Sequence, residues 1–199
     1  IDIPVENFGG KHHFVIGGQY IDGTLDDGVF GLEAASGGIE AVQDHKIWSL
    51  FAEDNWTPFD GLTITGGIRY DEHDLFGGHV SPRLYANYTI TPTLTIKGGV
   101  STGYKTPKTT DLYDGIRGFG GQGTSPMIGN PDLKPETSTN SEVALYWNPT
   151  ADSGFNVTLF HNKFKDKIAS TTVQPCAVTN FVRPCANLGD YWTVLGLGG

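Results

Sequence analysis

The sequence is short of cations: 13 lysines and arginines stand against 22 aspartates and glutamates, a formal charge of −9. A nucleic-acid partner needs clustered Lys and Arg to neutralise phosphate, so the balance argues against a DNA- or RNA-binding role. Long apolar runs are missing as well. No stretch approaches the roughly 18 apolar residues of a membrane-spanning helix, and the opening IDIPVENFGG lacks the basic-then-apolar layout of a signal peptide. Neither absence excludes a membrane, because a barrel strand crosses with only about 10 alternating residues. The slightly negative mean hydropathy is compatible with such strands.

Cysteine is scarce, with Cys176 and Cys185 alone, each beside a proline in TTVQPCAVTNFVRPCANLG. A disulfide closing a small surface loop in an oxidising compartment is one expectation, and two free thiols are the alternative. No second cysteine pair or paired histidine is near, so a closed zinc site is not expected. Enzyme signatures are equally thin. Gly118 to Gly123 (GFGGQG) fits the spacing of a dinucleotide loop, but Pro126 follows and no strand-to-helix turn surrounds it. Neither a nucleophile elbow nor a metal-binding helix motif occurs, and no enzyme and no cofactor are expected.

What the chain does have is glycine, 28 residues, and aromatics, 12%, against only 38% hydrophobic residues overall. That bias suits many short strands, and 199 residues need not divide into more than one all-β domain. The clearest period-2 stretch is Leu62 to Asp71, where Leu62, Ile64, Ile68 and Tyr70 alternate with Thr63, Thr65, Arg69 and Asp71. Similar alternation predicts strands at His12 to Asp22, His45 to Trp56, His79 to Ile90, Leu94 to Lys105, Thr139 to Asn148 and Phe155 to Lys167, with a weaker one in the terminal NLGDYWTVLGLGG. The expectation is an antiparallel up-and-down meander of about eight strands. Pro58 and Gly61 are expected to end pairing in the TPFDG turn.

The connections alternate in length: an acidic loop from Gly23 to Asp44, then TPFDG, EHDLFGG, TPT, a stretch of over 30 residues, PTADSG and the cysteine loop. Short turns at one end and longer loops at the other are the habit of transmembrane barrels. Trp56, Phe59, Tyr70, Tyr88, Tyr104, Trp147 and Phe155 lie near strand ends, where aromatic girdles meet headgroups. If Leu62, Ile64, Leu84, Ile96, Val143 and Leu145 face lipid, then Glu53, Arg69, Arg83, Lys97 and Glu142 face a wet lumen. The longest connection, Gly103 to Ser138, carries Lys105, Lys108, Tyr113, Arg117 and Phe119 among glycines, and a loop of that length in a compact domain points to recognition.

SPRLYANYTITPTLTIKGGVSTGYKTP, DLYDGI, IGNPDLKPETSTNSEVALY and FHNKFKDKIAS closely resemble the barrel of TonB-dependent outer-membrane receptors, in particular ferric-siderophore receptors of the catecholate and colicin I receptor type. The resemblance runs from about Lys46 to Ser170. It implies a 22-stranded barrel with a plug domain, importing ferric siderophore across the Gram-negative outer membrane with energy from TonB, amid lipid and lipopolysaccharide. No plug or TonB-contacting stretch is found here, so a partial barrel, inactive in transport alone, is expected. About eight strands cannot close so wide a circumference, and an open curved sheet follows. A ferric tris-catecholate is anionic and aromatic-rimmed, which makes Lys105, Lys108, Tyr113, Arg117 and Phe119 the candidate contacts. A porin-like or adhesin barrel and a soluble carbohydrate-binding β-sandwich are the competing readings.

Overall fold

The computed structural model describes residues 2–6, 9–26, 42–113, 116–120, 125–170, 174–175 and 185–186. The predicted strand in 187–199 and Cys176 of the expected bridge lie outside these residues, as does most of the acidic loop. Cys185 lies in a two-residue parallel pairing with Gln174 and Pro175.

Eight strands form one antiparallel sheet in simple meander order: β1 (Asp2–Glu6), β2 (Lys11–Asp26), β3 (Val42–Phe59), β4 (Leu62–His73), β5 (Gly77–Thr91), β6 (Leu94–Lys105), β9 (Glu136–Thr150) and β10 (Ser153–Lys165). Two further strands, β7 (Ile116–Gly120) and β8 (Ser125–Ile128), form a separate hairpin inside the long connection. The sheet is open, with β1 and β10 at its edges. Pro4 sits in the edge strand β1, a position where a missing ladder donor is tolerated.

Two boundaries differ from expectation. Pro58 does not end β3: the register shifts between Trp56 and Phe59, so a bulge absorbs the proline and pairing resumes at Phe59↔Leu62. The reversal itself is Asp60-Gly61, with Gly61 at φ +92. The EHDLFGG connection shortens to a turn over 74–76, because β4 and β5 pair out to His73↔Gly77. At the other end the turns are tied to their neighbours: the Thr89 amide donates to the Gly61 carbonyl at 2.8 Å and the Asn148 amide to the Thr93 carbonyl at 2.8 Å.

Cross-strand register sorts the side chains, because directly paired residues share a face and successive residues alternate. One row runs Trp56, Ile64, Ala86, Gly98, Val143, Leu159, and the next Leu62, Tyr88, Ile96, Leu145, Val157. On the reverse face a row reads Glu53, Gly67, Arg83, Ser101, Asn140, Asn162. Burial is inverted relative to a water-soluble fold. Among the described residues the buried hydrophobics are Tyr113 and Ala144, while Leu50, Ile68, Leu84, Val143, Val157 and Leu159 are all exposed. Among the described residues no second layer covers the apolar face, which speaks against the β-sandwich reading, since a sandwich buries one face of each sheet against the other.

Candidate functional site

The apolar face carries aromatic residues near both ends of its strands. Near the short turns, Phe59 meets Tyr88 edge-on at 6.0 Å and Trp147 stacks on Phe155 at 5.8 Å. Eight residues along β3 from Trp56, Trp48 packs against Tyr70 at 5.3 Å. That interval is roughly 26 Å of extended strand, or about 20 Å along the axis at a usual barrel tilt, commensurate with an apolar band about 25 Å tall. Acids also stand on this face: Glu72, paired with Trp48 at the rim and bonded by Tyr70, and Asp54 within the band. Asp54 Oδ2 is hydrogen-bonded to His12 Nδ1 at 2.7 Å, and the His12 ring stacks with Phe14 at 5.6 Å and Trp56 at 5.8 Å. Aromatic rings thus flank the polar pair; the sequence pattern gave no signal for it, because its members lie 42 residues apart.

Glu53, Arg69, Arg83, Lys97 and Glu142 share the opposite face. Arg83 on β5 reaches across β4 to form an ion pair with Glu53 on β3. It can do so because the intervening partner is Gly67, where an added Cβ would stand 3.0 Å from Arg83 Nε. Arg69 donates to Asp71 at 2.8 Å, to Ser49 Oγ at 2.9 Å and to Gln19 Oε1 at 3.1 Å, while Ser49 Oγ donates to Asp71 at 2.6 Å. Lys97 lies over the Tyr146 ring, 4.9 Å from its centre. Glu142 is exposed in the row of Tyr85 and Gly99. The Arg83–Glu53 pair thus spans from β5 to β3, while the Arg69–Asp71 pair lies along β4 itself.

The long connection is not structureless. Its two arms close on each other: the Asn130 amide donates to the Asp111 carbonyl at 2.7 Å, and Gly129 packs so close to the Tyr113 carbonyl that a Cβ there would overlap it. A single 3-10 turn, Thr109–Leu112, precedes Tyr113, and Asn130 Oδ1 accepts from the Asp132 amide at 3.0 Å to turn the chain toward β9. Between these arms in the chain lies the hairpin of β7 and β8, with Ile116 opposite Ile128.

The five candidate contacts divide accordingly. Lys105 ends β6, exposed and 3.2 Å from Glu136, and Lys108 is exposed just before the 3-10 turn. Arg117 and Phe119 are brought together on β7, where the structure describes their backbone alone. Tyr113 is completely buried, and its carbonyl lies against Gly129 at the base of the connection. Composition put it among the loop's aromatics but held no signal of burial.

Residues 1–196 match the family described as TonB dependent receptor-like, beta-barrel. The iron-regulated outer membrane virulence protein of Vibrio cholerae is 37% identical over 149 residues, 70% of this chain and 22% of that protein. The ferric enterobactin receptor of Pseudomonas aeruginosa is 38% identical over 133 residues, 63% of this chain and 18% of that protein. Among solved structures, a variant of the latter receptor in complex with enterobactin superposes with a TM-score of 0.71 at 30% identity, over 85% of this chain and 26% of that one. The siderophore receptor PirA from Acinetobacter baumannii gives a TM-score of 0.69 at 28% identity, over 86% and 27%. The chain thus spans about a fifth to a quarter of the length of these relatives. With its apolar outer face, aromatic rims and polar inner face, it belongs to the TonB-dependent receptor-like β-barrel family, as one segment of an outer-membrane barrel wall.

Proposed function

We propose that the intact protein carrying this segment binds a ferric siderophore of the catecholate class at the loop between β6 and β9 and imports it, and that the segment alone does not transport. The observation that carries this reading is the stretch of relatives at 37% and 38% identity: an iron-regulated outer-membrane protein and a ferric enterobactin receptor. The loop supplies what such a cargo lacks in water. Lys105, Lys108 and Arg117 offer positive charge to an anionic chelate, and Phe119 offers a ring for its catechol edges. The clasp of Asp111, Tyr113, Gly129 and Asn130 holds the hairpin in place at its base, which lowers the ordering cost of binding.

In this reading Glu53, Arg69, Arg83, Lys97 and Glu142 line the wet lumen. The siderophore is cargo and no resident cofactor takes part, so the role is that of a receptor and not an enzyme. Energy comes from TonB through a plug domain supplied elsewhere in the intact protein, and the outer face meets lipid and lipopolysaccharide. Replacing Lys105 and Arg117 together by Ala in the intact receptor should weaken equilibrium binding of radiolabelled ferric enterobactin by roughly tenfold or more, the loss of about 1.4 kcal/mol. Unchanged affinity would defeat the placement of the site, and absence of any saturable uptake by the unaltered receptor would favour a porin-like barrel.

A further inference from the structure

Large side chains on the inner face of β2 to β6 lie down over glycines of the neighbouring strand. Phe51 of β3 leans onto β2, where a Cβ added at Gly17 would overlap the tip of its ring. Arg83 of β5 leans over Gly67 of β4 to reach Glu53. Tyr85 leans the other way, onto β6: a Cβ at Gly99 would stand 2.6 Å from its Cδ1, and its hydroxyl lies 3.2 Å from Ser101 Oγ. Strand side chains ordinarily stand roughly perpendicular to the sheet. These three instead fill the space of a missing side chain next door. The inner face of β9 differs, since Glu136–Thr150 contains no glycine and both Glu142 and Tyr146 are exposed.

Glycine inside a strand weakens it, and it marks a bulge, a bend or a place where another body approaches closely. Pairing runs unbroken through Gly67 and through Gly99 on both of their edges, so neither sits in a bulge. The approaching body is not gripped here, because the polar ends of the reclining side chains are engaged within the wall, Arg83 by Glu53 and Tyr85 by Ser101. What remains toward the lumen is ring surface and a balanced charge. From these contacts we infer that β2 to β6 form the side of the lumen along which the cargo travels, with Phe51, Arg83 and Tyr85 laid down to give a bulky chelate clearance and no foothold. A transit surface must bind weakly enough to release what enters it, and a wall whose donors are already occupied does so. The inference rests on the import reading and deepens it, naming the stretch of wall used after the loop has bound its ligand.

The test measures binding and uptake of radiolabelled ferric enterobactin separately in cells making the intact receptor, both normalised to the amount of receptor at the surface. Gly17→Val and Gly67→Val, whose nearest neighbours are side-chain atoms, should lift Phe51 and Arg83 into the lumen. Together they should slow uptake by roughly tenfold, a barrier higher by about 1.4 kcal/mol, with affinity unchanged. Gly66→Val, on the outer face with nothing within 4 Å of the new Cβ, should alter neither quantity. Gly99 is unsuitable, because a Cβ there would also meet the Leu84 carbonyl. Phe51→Ala in the Gly17→Val background removes the lifted ring and should restore uptake, whereas a glycine needed only for packing predicts a further loss. Should the glycine variants fail to insert, Phe51→Ala and Tyr85→Ala singly should leave uptake equal or faster. Undiminished uptake with both glycines replaced, no recovery on adding Phe51→Ala, or slower uptake in Phe51→Ala or Tyr85→Ala alone would overturn this inference and leave the import reading standing. Absence of saturable binding and uptake by the unaltered receptor would end both.

Discussion

The barrel wall and the loop at 106–135 solve the packing problem in opposite ways. The wall spreads its apolar residues over an exposed face and keeps almost no interior, whereas the loop, rich in glycine and polar residues, buries Tyr113 completely and Pro107 with it. The difference follows from solvent. A sheet in hydrocarbon satisfies its backbone through its ladder and leaves apolar side chains where lipid meets them, so no dry core is needed. A loop outside the membrane must order itself against water, and among its described residues it does so with the buried ring of Tyr113 and a few backbone bonds.

The contrast breaks first where charge is placed on the outer face. Leu84→Arg, at a position 54% exposed between Gly66 and Val100, should destabilise the receptor by about 2–4 kcal/mol in bilayers, while Asn87→Arg on the inner face should cost far less. Denaturant unfolding in vesicles of fixed composition compares the two. The loop should break at Gly129→Ala, because the added Cβ meets backbone that cannot move aside. A local loss of about 2–3 kcal/mol is expected, read as faster proteolytic cleavage between Tyr113 and Met127 with the wall's unfolding unchanged.

The inner face sharpens the comparison at smaller amplitude. Gly67→Val should push Arg83 off its path to Glu53, and a double-mutant cycle of Glu53→Gln and Arg83→Gln should give a coupling of only about 0.5–1 kcal/mol, since Arg83 is half exposed and screened. In the Gly67→Val background that coupling should vanish. Lys105→Ala should change stability least, by under about 0.5 kcal/mol, its pairing with Glu136 being open to water. A change of more than about 1 kcal/mol there would mean the loop base is held differently.

Most of the wall was legible because period-2 alternation is a property of each strand alone: Leu62 to Asp71 declares its two faces without reference to any partner. Register was not, since it depends on which residue of a neighbour lies opposite. Gly67 therefore read as a place to bend, and its role as a slot for Arg83 emerges only when Glu53, Gly67 and Arg83 fall in one row. The short β1, with Pro4 inside, and the glycine-rich hairpin of β7 and β8 lack enough alternating side chains to signal strands. Tyr113 looked like any other aromatic of the loop because burial there comes from chain reversal, which leaves no periodic trace.

Everything above depends on which side of the sheet meets lipid. Spin labels placed singly at residues 83 to 86 in the intact receptor, reconstituted in bilayers, measure this directly through their relative collision rates with oxygen and with a water-soluble nickel chelate. Positions 84 and 86 should favour oxygen and positions 83 and 85 the chelate, in strict alternation. Uniform accessibility across the four, or alternation of the opposite phase, would contradict the account.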